Sequence, residues 1–82
     1  MPAIHRQKDI DNARNRLVYC STNVFVNGLG AGRLGDMDDN ANKTTDGSKS
    51  VFVNGKPVTR IGDKDEKNHT KITGSANVFA GG

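Results

Sequence analysis

The feature that most constrains this chain is an echo at 27 residues. Residues Ser48–Asp63, SKSVFVNGKPVTRIGD, restate Ser21–Asp36, STNVFVNGLGAGRLGD, and SANVFAGG from Ser75 begins the same text a third time. Carried through the chain, the spacing aligns Arg6, Arg33 and Arg60, then Asp9, Asp36 and Asp63, then Asp11, Asp38 and Asp65. Ser21, Ser48 and Ser75, Val24, Val51 and Val78, and Phe25, Phe52 and Phe79 form further identical columns. Three units of 27 account for all but one of the 82 residues, so the chain starts in mid-unit. The expected division is a single domain, 1–82, of units 21–47 and 48–74 and a third made of 75–82 joined to 1–20. A chain that ends where its missing half belongs closes most simply into a ring, with Val78 and Phe79 beside Ile4–Arg6. An open solenoid would need polar capping units, and neither end resembles one.

Each unit reads as strand, Asn-Gly or Gly-Gly turn, strand and loop, which makes the fold class all-β. Alternation puts Val24 and Val26 on one side of the first strand and Phe25 on the other. In the returning strand Thr59 shares a face with Ile61, Gly32 with Leu34, and His5 with Gln7. The loops Asp9–Cys20, Asp36–Gly47 and Asp63–Gly74 are polar and carry no helical period. Their repeated Asp-x-Asp is expected to cap turns through side-chain to backbone bonds. Calcium loops need more carboxylates and a defined glycine.

Leu, Ile, Val and Phe supply only 17 residues, near the composition at which a chain cannot order itself by apolar burial alone. A single cysteine excludes an internal disulfide, which leaves a metal or a partner as the added support. The net charge of +3 comes from interspersed signs, and the four aromatic residues form no base-stacking cluster, so nucleic-acid binding is not expected. No apolar run has the length of a transmembrane helix or of a signal-peptide core, so synthesis in the cytoplasm is expected.

Three metal-binding residue types stand outside the repeat. Cys20 aligns with Gly47 and Gly74, His69 with Asn15 and Asn42, and His5 with Gly32 and Thr59. Singular residues in a repetitive frame are what one metal near the axis would produce, and also what drift would produce, with Cys20 a small hydrophobe.

The run Ser-x-x-Val-Phe-Val-Asn-Gly-Lys-Pro-Val-Thr-Arg-Ile-Gly-Asp, with the final Gly-Ser-Ala-Asn-Val-Phe, resembles the PAAR-repeat proteins of contractile phage tails and type VI secretion systems. The residues at the naming motif are Pro57-Val58-Thr59-Arg60, Gly30-Ala31-Gly32-Arg33 and Ala3-Ile4-His5-Arg6. The resemblance implies a small cone of short strands that caps a homotrimeric β-helical spike, one copy per trimer, and is sharpened around zinc. A pseudo-threefold ring is also the shape a monomer needs to cover the open end of a trimer, whose unpaired strand edges are otherwise a hazard. The docking residues expected are Val24, Phe25, Val26, Val51, Phe52, Val53, Val78 and Phe79. The family usually supplies three histidines and one cysteine to zinc. Here His69 matches by position, Cys20 ends the corresponding loop of another unit, and His5 lies on the inward face of a strand.

The expected function is therefore a non-enzymatic spike tip that contacts a target outer membrane transiently. A virion tail tip is favoured, because the chain is short and free of extensions, over a tip secreted by a type VI system. No set of nucleophile, base and orienting acid appears, and the 82 residues leave no room for an appended enzyme. A small basic nucleic-acid-binding module is the rival reading.

Overall fold

The computed structural model describes all 82 residues and contains no helix, hence none long and apolar enough to cross a membrane. Regular strand pairing is confined to two hairpins. Strand β1 (Phe25–Val26) pairs with β2 (Leu29–Gly30), and β3 (Phe52–Val53) with β4 (Lys56–Pro57), both antiparallel. Their turns have φ of 55° and 78° at Asn27 and Gly28, and 56° and 76° at Asn54 and Gly55. Two consecutive positive φ angles define the tight turn whose twist suits a hairpin, and asparagine followed by glycine adopts it at least cost. The two ends of the chain build a third such pair. Ala3 bridges Phe79, the Ala80 N–H donates to the Pro2 carbonyl, and the Ile4 N–H donates to the Val78 carbonyl.

Of 41 backbone hydrogen bonds only 4 lie within strands, so turns and short extended pieces linked across the chain hold the molecule together. The links close into rings. Arg6 bridges Ala31, Arg33 bridges Val58 and Arg60 bridges Ile4. The His5 N–H donates to Thr59, Thr59 to Gly32 and Gly32 back to His5, each at 2.9 Å. Further along the axis Leu17 bridges Asp38, Thr44 bridges Asp65 and Lys71 bridges Asp11. Every backbone group satisfied in this way is one fewer exposed edge.

The rings stack into an apolar half and a polar half. Val26, Val53 and Ala80 pack with Ile4, Ala31 and Val58 in the core, and Val78 lies against them. Above this core the buried side chains are His5 and Thr59, then Leu17, Thr44 and Lys71, then Asp11, Asp38 and Asp65. Only eight of the 25 buried residues are apolar.

Two details differ from the expected alternation. Val24 and Val51 are 37% and 36% exposed and do not share the core with Val26 and Val53, because pairing extends over two residues only. Leu34 is exposed instead of following Gly32 inward, because the chain turns after Arg33 through Gly35 at φ 90°.

Candidate metal centre and docking face

The two aspartates of each Asp-x-Asp do different work. The first is clamped by the arginine three residues before it. Asp9 Oδ2 accepts from the Arg6 backbone N–H and Nε at 2.8 and 2.9 Å, Asp36 from Arg33 at 2.9 and 2.8 Å, and Asp63 from Arg60 at 2.8 and 3.2 Å. Each guanidinium then reaches a base turn through Nη1, at Asn27 Oδ1, Asn54 Oδ1 and, where the third asparagine is lacking, the Gly81 carbonyl. Burial pushes the Asp9 carboxyl up, but the Arg6 side-chain and backbone bonds and the Thr73 hydroxyl outweigh it and leave the pKa below the ordinary carboxylate value.

The second aspartate caps the tip loop. Asp11 Oδ1 accepts the N–H groups of Ala13 and Asn15, Asp38 those of Asn40 and Asn42, and Asp65 those of Lys67 and His69, all between 2.8 and 3.0 Å. These bonds hold Arg14, Ala41 and Asn68 at φ of 65°, 61° and 65°, a left-handed conformation that only asparagine among them favours. With Oδ1 committed to the loop, the other oxygens are brought together.

The result is one cluster, Asp11, Asp38, Asp65 and His69, whose ligand atoms all lie within 4.8 Å of one another. His69 Nδ1 stands 3.1 Å from Asp65 Oδ2 and 3.6 Å from Asp11 Oδ2. The three carboxylates are 0%, 2% and 3% exposed. Burial pushes the Asp11 carboxyl up, yet the Asn15 and Ala13 N–H groups, the Asn15 amide and His69 outweigh it and leave its pKa lowered. Three carboxylates and an imidazole, oriented by their loops, suit a divalent cation, zinc included. The cluster contains no thiolate.

Of the three candidate ligands read from the sequence, His69 is in this cluster, and His5 and Cys20 are not. His5 is 1% exposed in the ring below; its Nδ1 lies 2.7 Å from the Thr73 carbonyl and its Nε2 has no partner. Burial, aided by Lys71, lowers its pKa to about 4. Half-buried Cys20 packs its Sγ against Gly30, and burial with the neighbouring Asp36 pushes the thiol up, against the opposing pull of Arg33. The aspartates that sequence reasoning assigned only to turn capping carried a usable signal: an identical column in a ring places three identical side chains at one height on the axis.

At the other end of the stack Phe25, Phe52 and Phe79 are 60%, 57% and 50% exposed, one on each hairpin pair. Val24 and Val51 extend the patch, whereas Val26 and Val53 are buried in the core. A lateral groove of about 530 Å³ lies beside Ser48, Phe52, Arg60, Asp63 and Gly82, and none of Asp11, Asp38 and Asp65 lines it.

No curated protein matches the chain. A family model described as the PAAR motif matches residues 12–66, which include two of the Arg–Asp clamps, both hairpins, and Asp38 and Asp65 of the tip cluster but not Asp11 or His69. That match spans about two thirds of the 82 residues, and the chain belongs to the PAAR motif family.

Proposed function

We propose that this chain is the tip of the central spike of a contractile injection machine, built from three 27-residue units of which one is split between the chain ends. Membership of the PAAR motif family supports a spike-tip role and association with a spike protein. The finer reading is a cap that seats one copy on a homotrimeric β-helical spike and presents the aspartate end to the target envelope. The observation that carries it is the trio of exposed phenylalanines at matching positions of the repeat. Three half-exposed rings on a small body form an apolar surface that invites a partner, and their threefold spacing suits a trimeric one.

The role is mechanical. Rings of backbone bonds and three Arg–Asp clamps resist deformation from the base through to the tip loops. A divalent cation, zinc in the family reading, would be held by Asp11, Asp38, Asp65 and His69 and would supply positive charge to a converging set of carboxylates. His5 and Cys20 remain the other candidate ligands of that reading. Co-purification with a trimeric β-helical spike fragment tests the proposal: retention at one copy per trimer is expected, and failure to bind any such fragment would sink it.

A further inference from the structure

The three seams between hairpins at the base are not alike. At two of them a side-chain amide crosses from one unit to another: Asn27 Nδ2 donates to Asn77 Oδ1 at 2.9 Å, and Asn54 Nδ2 to Asn23 Oδ1 at 2.8 Å. The repeat places the third such pair at positions 50 and 81, which are Ser50 and Gly81. Main chain takes over there. The Gly81 carbonyl accepts from Arg60 Nη1 at 3.1 Å and from Ser48 Oγ, and the Lys49 N–H donates to the Gly82 carbonyl at 3.2 Å. The groove of about 530 Å³ lies along this seam alone, with Ser48, Lys49 and Gly82 in its walls.

A second difference falls at the same seam. Asp46 lines the groove, and its counterparts in the repeat are Tyr19 and Thr73. The Tyr19 and Thr73 N–H groups donate to the Met37 and Ile10 carbonyls at 3.1 and 3.3 Å, but the Asp46 N–H donates to no group of the chain. A free main-chain donor in an open groove suits the carbonyl of an added extended segment. Leu34, Phe52 and Pro57 offer such a segment apolar surface. The charges of Asp46, Lys49, Arg60 and Asp63 balance, so the walls select neither an anion nor a cation.

We propose that the groove receives an extended segment of the spike protein, from one of its three protomers, hydrogen-bonded to the Asp46 N–H and packed against Phe52 and Leu34. Phe52 argues for the spike as the source. It lines the groove and also belongs to the exposed phenylalanine trio, so the two surfaces are continuous. The inference rests on the docking reading of that trio and adds a key to it. Three phenylalanines alone would meet three protomers alike, whereas one open seam engages one protomer and fixes the cap against turning on the axis.

Hydrogen exchange read by mass spectrometry, on the full chain alone and bound to a trimeric β-helical spike fragment, tests this. Exchange in residues 45–49 should slow about tenfold or more on binding, while the counterpart segments 18–22 and 72–76 change by less than about twofold. Asp46→Tyr fills the groove with the side chain the frame carries at Tyr19, and Leu34→Gln copies Gln7. Each should weaken binding about tenfold by calorimetry with one copy per trimer retained, and the reverse exchange on another wall, Tyr19→Asp, should leave affinity within about twofold. The exchange measurement needs no variant, so it decides even where a substitution unfolds the chain. Equal protection of the three segments, or groove variants that bind as wild type does, would overturn the groove reading and leave docking on the phenylalanines standing. A chain that binds no spike fragment would overturn both. Protection of residues 45–49 in the chain alone as its concentration rises would assign the groove to a second copy and overturn the proposal as well.

Discussion

Arg33 illustrates how one residue spans the length of a unit. It holds Asp36 through three nitrogen donors and reaches Asn54 on the next hairpin, with Asp36 itself 5% exposed. Asp36 in return raises the Arg33 pKa through its side-chain hydrogen bond. Replacing Arg33 by alanine leaves a buried carboxylate with a single backbone donor, and a loss of about 3 kcal/mol is expected in urea unfolding. His5 makes a different prediction. Its folded pKa of about 4 lies below the ordinary 6.5, so between those values the unfolded chain binds the proton and the folded chain does not. Stability should therefore fall as pH drops from about 6.5 to 4, by about 3 kcal/mol in all, and His5→Thr should flatten that slope. The contributions of Asp9 and Asp11, whose folded pKa values are lowered, should persist through this window and be lost at more acid pH. The repeated Arg and Asp columns were legible in the sequence as architecture. The chemistry of Asp11, Asp38 and Asp65 was less so, because a carboxylate that caps its own loop and one that faces an axis look the same in a single unit.

At the scale of elements, the Asn-Gly turns could be read directly, because few other pairs accept two positive φ angles in succession. The strand lengths could not. The sequence Val-Phe-Val suggests three paired residues, yet only Phe25–Val26 and Phe52–Val53 pair, since each chain segment leaves its neighbour to join the ring of another unit. Leu34 looked inward by alternation and is exposed for the same reason, the turn through Gly35. That turn column also exposes a local misfit. Gly35 and Gly62 sit at φ 90° and 96° with open space where a side chain would begin, and the equivalent Lys8 is forced to φ 75°. Lys8→Gly should relieve the left-handed strain by about 1 kcal/mol, partly offset by glycine's greater freedom when unfolded. A rise of a few degrees in melting temperature is the expected result.

For the whole molecule, the extents of 24 × 23 × 23 Å describe a body about as broad as it is long, with its apolar core toward the phenylalanines and its buried charge toward the aspartates. That polarity follows from composition. Too few apolar residues are available to fill both halves, so hydrogen-bonded turns, ion pairs and buried carboxylates occupy the second. The same scarcity leaves three phenylalanines half-exposed, which is the surface through which a partner would complete the burial. The measurement that tests this most directly is the mass, under native conditions, of the complex formed with a trimeric β-helical spike fragment. One chain per trimer is predicted, abolished when Phe25, Phe52 and Phe79 are all changed to aspartate in a variant whose circular dichroism matches wild type. Three chains per trimer, or binding that survives the loss of the three phenylalanines, would contradict it.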